Sequence, residues 1–240
     1  MPQGIPARLR DDARRRGAFA TLGAALGWLR SYVTGRLRMP PAGTFTVDGE
    51  SYRYFHHVHR WTWLTERAVE IPLAVRQLEQ HSGDRVLEVG NVLSHYVPIR
   101  HAVVDKYEPG PGVIAQDVLE IEPDGGYDLI VSISTIEHVG WDERPRDPAK
   151  ALAAVDHLRG LLAPAGRLVL TLPVDYHTGL DAALRSGALR PDRLVALRRD
   201  EKANVWSQVP PAEVWGGGYD RLLYRARGLV LCEFDGPAGP

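Results

Sequence analysis

The 240-residue chain has one cysteine, Cys232, and only three lysines among its 29 basic residues. A single cysteine excludes an internal disulfide and any cysteine-rich zinc site. It lies in the apolar run Leu229-Val230-Leu231-Cys232, where a buried, inert thiol is expected. No apolar run reaches the roughly twenty residues needed to cross a bilayer as a helix. The longest, Gly17 to Leu29, is followed by Arg30, Arg36 and Arg38 and has no small-residue cleavage site. That argues against a secretory signal and for a cytoplasmic protein. No G-x-G-x-x-G fingerprint is present, which disfavours a nicotinamide dinucleotide. Basic residues do not interleave with aromatics in a stripe, so nucleic acid is not expected as a partner. No internal repeat is visible.

What is present suits a globular protein: 44% hydrophobic residues, 25% charged residues and a net charge of −1. The charge is uneven. Residues 1–38 carry eight arginines against Asp11 and Asp12, a net of +6, which leaves about −7 for residues 39–240. Ala18, Leu22, Leu26, Leu29 and Val33 recur at steps of three and four, which predicts a helix or helical pair over 11–38. Its simplest role is to pack one face on the body. The basic charge also allows contact with an anionic surface or an acidic protein.

Two expected units follow, an N-terminal helical and aromatic cap over residues 1–82 and an α/β unit over 83–240. Thr44 to Tyr54 predicts a small hairpin around Asp48-Gly49. Tyr52, Tyr54, Phe55, His56, His57, His59, Trp61 and Trp63 form a dense aromatic and histidine stretch, expected as a lid or as packing. His57-Val58-His59 has ligand-like spacing, but no carboxylate cluster accompanies it, so no metal is expected. A helix is expected over 65–80. Strands are expected at 85–89, 102–105, 112–115, 127–133 and 166–171, with a helix near 147–162 and late strands at 193–199 and 228–234. Continuous apolar strands such as Leu129-Ile130-Val131 point to burial on both faces, hence a mostly parallel, doubly wound sheet.

Four segments carry the chemistry. They are Val86-Leu87-Glu88-Val89-Gly90, Val103-Val104-Asp105, Ala115-Gln116-Asp117-Val118, and Tyr127 to Ser134 followed by Thr135-Ile136-Glu137-His138-Val139. Over residues 83–175 this series resembles the class I S-adenosylmethionine-dependent methyltransferases, particularly small-molecule members. The resemblance implies a Rossmann-like fold and S-adenosylmethionine as cofactor. Glu88, Gly90 and Asn91 would lie at the methionine end, Asp105 at the ribose, Asp117 and Val118 at the adenine edge, and Ser134 near the sulfonium. The turn after the first strand has one glycine where the family has two or three, and Val92 and Leu93 are expected to crowd it.

The implied reaction is methyl transfer to an oxygen or nitrogen of a small molecule, such as a sugar, a polysaccharide precursor or a secondary metabolite, as in a biosynthetic enzyme. His138 is the candidate base, because an imidazole titrates near working pH; bracing the loop is its other role. Asp175, Tyr176 and His177 follow the fifth strand, face the same crevice and are candidates to bind or deprotonate the substrate, with Tyr176 and His177 expected beside His138 as catalytic residues; His95 lies in the cofactor turn. Two alternatives stay open: different chemistry in the same pocket, such as cyclisation or elimination, and a non-catalytic binding relative.

Overall fold

In the computed structural model, residues 10, 13–14, 17–23, 26, 29, 33, 43–81, 85–201 and 204–238 are described. The apolar runs become the middle of an eight-stranded sheet. Strands β3 (Val86–Val89), β4 (Ala102–Val104), β5 (Val113–Ile114), β6 (Tyr127–Ile133) and β7 (Leu162–Pro173) form its parallel part. Strands β8 (Arg193–Asp200), β9 (Val205–Val209) and β10 (Gly228–Asp235) form an antiparallel part. The order is β5-β4-β3-β6-β7-β10-β8-β9. The chain reverses its direction of growth between β3 and β6, so a crevice opens at their carboxyl ends.

Both faces of this sheet are covered. Helix α1 (Arg67–Gln80) and a hairpin of β1 (Thr44–Val47) and β2 (Glu50–Arg53) contribute Phe45, Val47, Val69, Ile71 and Leu73 to one core, with Leu129, Val131 and Leu231. Helices α2 (Lys150–Gly160) and α3 (Thr178–Ser186) cover the other face, where Ala154, Val155, Leu158 and Leu180 meet Ile130, Leu168 and Cys232. Burial pushes the Cys232 thiol up to about 12, so it stays protonated.

One proline ties the aromatic stretch to this body. Pro72 sits inside α1 and has no N–H to give the carbonyl of Ala68 four residues back. That carbonyl accepts from the backbone N–H of Phe55 instead, at 2.9 Å. Tyr54 reinforces the attachment, its hydroxyl accepting from the backbone N–H of Trp206 on β9 at 2.8 Å. Residues 43–81 are therefore fastened to the same sheet as the α/β unit.

The structure adds two elements that the sequence pattern does not announce. Helix α3 is nine residues long and starts at His177 rather than at Ser, Thr, Asp or Asn. Strand β9 is a short, half-exposed edge. The β3–β4 connection also departs from the usual doubly wound unit, since residues 90–101 contain only a 3-10 turn at Leu93–His95. The proposed N-terminal helix is present at residues 18–23, 26, 29 and 33. Its apolar stripe does not pack on the body: Leu22, Leu26, Leu29 and Val33 are exposed. Residues 13 and 14 are helical as well, and, Gly17 apart, the rest of that segment lies outside the described residues.

At the start of β7, a Cβ on Gly166 would stand 2.4 Å from the carbonyl oxygen of Tyr127 and 2.9 Å from that of Ala163. Neither backbone atom can yield cheaply. Gly166→Ala should lower stability by about 1–3 kcal/mol, read as a lower urea midpoint with unchanged slope.

Candidate functional site

At the carboxyl ends of β3, β4 and β5 lies a cavity lined by Val89, Gly90, Asp105, Asp117, Val118 and His138, among others. Two carboxylates, Asp105 in its lining and Glu88 behind it, fold the turn that borders the cavity. Glu88 is fully buried. Its Oε1 accepts from the backbone N–H groups of Val92 at 3.0 Å and Leu93 at 2.8 Å, and its Oε2 pairs with His101 Nε2 at 2.8 Å. Asp105 accepts from Asn91 N–H on Oδ2, at 2.8 Å, and from Tyr107 and Glu108 N–H on Oδ1, both at 2.7 Å. The turn between β3 and β4 is thus folded by side-chain carboxylates in place of a helix.

The glycine in this turn has no substitute. Gly90 has φ +95°, and a Cβ on it would lie 2.1 Å from Thr135 Oγ1. The crowding expected from Val92 and Leu93 does not occur. Leu93 is fully buried in the α1-side core and Val92 packs against that core, and neither lines the cavity. Asn91 is buried, and its side-chain oxygen accepts from Ser94 Oγ.

At the far end of the cavity Asp117 caps the turn that follows it, accepting from Leu119 N–H at 3.1 Å. Its Oδ2 also meets Lys106 Nζ at 2.8 Å and Lys150 Nζ at 2.6 Å, and both lysines reach Glu143. Two of the chain's three lysines are spent here. Burial acts upward on Asp117, but the two ammonium groups outweigh it and hold its carboxyl down to about 2. Lys106, Asp117 and Glu143 of this network line the cavity, whose volume is about 70 Å³. Lys106 and Tyr107 line the cavity and are themselves exposed.

Beside the cavity stands a second polar group. His138 Nδ1 lies 2.5 Å from Asp142 Oδ2, and Tyr176 OH donates to the same oxygen at 2.5 Å. Tyr176 OH is also 3.0 Å from His138 Nδ1. Asp142 therefore draws the Nδ1 proton and leaves the Nε2 lone pair on the other side of the ring. Burial pulls the His138 pKa down, but the bond to Asp142 and the charge of Glu137 carry it above its ordinary value. Burial and Asp142 both push the Tyr176 phenol up, so it stays protonated and donates a hydrogen bond to Asp142. Glu137 is buried, with Oε1 3.7 Å from His138 Nε2. Burial raises its carboxyl to about 8. Sequence patterning includes Glu137 in the segment after β6 but gives it no role, and it does not single out Asp142, whose signal is its place four residues after His138.

The remaining residues are tied elsewhere. Ser134 has φ +40° and donates to Glu70, which also accepts from Thr171 Oγ1 at 2.7 Å and pairs with Arg67 at 3.0 Å. It is not among the cavity-lining residues. His177 caps α3, its Nδ1 accepting from Leu180 N–H at 3.0 Å, and its ring lies 4.2 Å from that of Trp141. Asp175 accepts from the N–H of Gly218 at 2.7 Å, holding the glycine loop. His95 pairs with Glu108 at 2.8 Å and stacks on His59. The aromatic stretch packs against Tyr96, which meets Phe55, His57 and His59 edge-on. It braces the turn from outside, and none of residues 52–63 lines the cavity.

No family model matches the chain, and no curated protein matches it in sequence. Matching solved structures include the N-methyltransferase NodS from Bradyrhizobium japonicum WM9, at 18% identity over 72% of this chain and 96% of that one, with a TM-score of 0.45. A possible histamine N-methyltransferase from Thermotoga maritima is 14% identical over 74% and 93%, with a TM-score of 0.44. The CcbJ methyltransferase from Streptomyces caelestis is 12% identical over 68% and 88%, with a TM-score of 0.39. At such identities and scores, the chemistry has to be found in this chain's own side chains.

Asp142→Asn should lower the His138 pKa, followed by the imidazole resonances in an NMR titration. The sign for stability follows from the raised native pKa. The pairing stabilises fully below the ordinary imidazole value of 6.5 and fades as pH rises through the native one. Wild type should exceed Asp142→Asn in urea resistance near about pH 6, and the gap should shrink by about pH 9.

Proposed function

We propose that the cavity binds the adenosine part of S-adenosylmethionine and that the protein transfers its methyl group to a small molecule. The observation that carries this reading is that Asp105 and Asp117, following neighbouring strands, line one cavity with Gly90 and His138. The donor set fits a nucleoside. A carboxylate offers about four acceptor positions; Asp105 uses three among the described residues, which leaves one for a ribose hydroxyl. Val104, Val118 and Val139 wall the same space and suit a purine ring. The volume as it stands is smaller than a nucleoside needs, so binding requires the Lys106 and Tyr107 side chains to swing outward. Glu88 and Asn91 then serve by fixing the turn on which the amino acid end rests.

When bound, the cofactor supplies an electrophilic methyl group. The protein has to position the acceptor in line and take up its proton. His138 does the second at Nε2, with Asp142 and Tyr176 holding the ring. Tyr176 and Asp142 are positioning residues, and His177 holds the helix that follows them. A hydroxyl or an amine would each be served by this base, and the sugar or secondary-metabolite class of acceptor comes from the family resemblance.

The narrow cavity and its lysine bridges favour one rival, a non-catalytic relative of the same fold that has lost the cofactor. Calorimetry with S-adenosylhomocysteine separates the two. Binding at micromolar to low millimolar ligand supports the enzyme, and no heat with no thermal shift supports the rival. Retained chemistry of another type, cyclisation or elimination, would appear as a product lacking the added methyl mass.

Asp105→Ala should weaken S-adenosylhomocysteine binding by about 1.5–3 kcal/mol, measured in the same calorimeter. With an acceptor found by screening alcohols and amines, His138→Ala should lower kcat far more than cofactor affinity. Wild-type kcat should rise with pH through the raised His138 pKa as the imidazole loses its proton, and that limb should move to lower pH in Asp142→Asn.

A further inference from the structure

The N-terminal helix carries a feature that the cavity does not explain. Phe19, Leu22, Leu26, Leu29 and Val33 are 91%, 57%, 58%, 49% and 43% exposed, and all five are helical. Their spacing of three, four, three and four residues places them on one narrow face. Water-exposed apolar side chains scattered singly are ordinary on a protein surface; five in one stripe are not.

The charge around the stripe selects its occupant. Residues 1–38 hold eight arginines and two aspartates, while residues 39–240 carry about −7. A second copy of the helix would bring two arginine-rich segments together, which like-charge repulsion opposes. The acidic body leaves the stripe uncovered. An anionic bilayer offers both complements at once, acyl chains for the stripe and headgroup charge for the arginines. The sequence adds Trp28 and Tyr32 to the same segment, residue types favoured at the membrane interface. Among the described residues, no helix is long and apolar enough to cross a membrane. A helix here would lie in the interface plane.

We infer that residues 18–33 dock the protein on an anionic lipid surface, apolar face down, with the flanking arginines at the headgroups. This docking is independent of what the cavity binds.

The test is co-sedimentation of the full chain with two sets of vesicles, phosphatidylcholine alone and phosphatidylcholine mixed with phosphatidylglycerol. The protein should bind the second set, bind the first weakly, and be released from the second as salt rises. The double variant Leu22→Asp, Leu26→Asp should lose at least about tenfold in partitioning while its urea midpoint stays at the wild-type value. Replacing Arg30 and Arg36 by Glu should weaken binding to the anionic vesicles and flatten the salt dependence.

Equal binding of wild type and the Leu22, Leu26 variant would overturn the inference, as would no binding to anionic vesicles at low salt. A wild-type dimer by light scattering that the Asp variant converts to monomers would assign the stripe to self-association instead. Failure to bind lipid in a chain that stays monomeric would point to an acidic protein partner, and that too would overturn it.

Discussion

Two buried or half-buried carboxylates fold the turn on which the site depends. Glu88 and Asp105 end adjacent parallel strands and between them take up the N–H groups of Asn91, Val92, Leu93, Tyr107 and Glu108. An open loop of this kind would otherwise leave the buried Leu93 N–H without a partner, at a cost of about 1–3 kcal/mol. Charged acceptors make the replacement bonds strong. The result is a rigid rim without a crossover helix, and it frees the cavity face of the turn to be made by one glycine.

That arrangement explains why a glycine-poor turn can still border an open site. The volume that extra glycines would leave empty is gained by turning Val92 and Leu93 into the core beneath α1. The aromatic stretch at 55–59 then clamps the turn through Tyr96, and Pro72 fixes that stretch by leaving the Ala68 carbonyl to Phe55. Proline in a helix, a glycine with a left-handed backbone and a cluster of histidines are separate oddities in the sequence. In the fold they belong to one bracing system.

Much of the sheet could be read in the sequence because its strands are continuous apolar runs bounded by acids and glycines. Val86 to Gly90 and Tyr127 to Ser134 are the clearest cases. Helix α3 was hidden because His177 is an uncommon cap, and β9 because an edge strand needs no alternating pattern. The first ring of acids, Glu88, Asp105 and Asp117, was legible as residue type at strand ends. Their bonding was not. Nothing in the order of residues says that Glu88 turns inward to His101, that Lys106 and Lys150 converge on Asp117, or that Asp142 accepts a hydrogen bond from His138. Those contacts come from loops brought together by the sheet's reversal between β3 and β6. The apolar spacing at 18–33 was visible too, but whether that face is covered depends on the surface it meets.

The central claim is that the carboxyl ends of β3, β4 and β5 receive a nucleoside. The most direct measurement is an amide NMR titration of the full chain with S-adenosylhomocysteine. The account predicts saturable shifts concentrated at Gly90, Asn91, Asp105, Lys106 and Val118. Shifts confined to residues away from this cavity, such as Trp215 and Gly217 in the cleft beside β8, or no shifts at millimolar ligand, would contradict it.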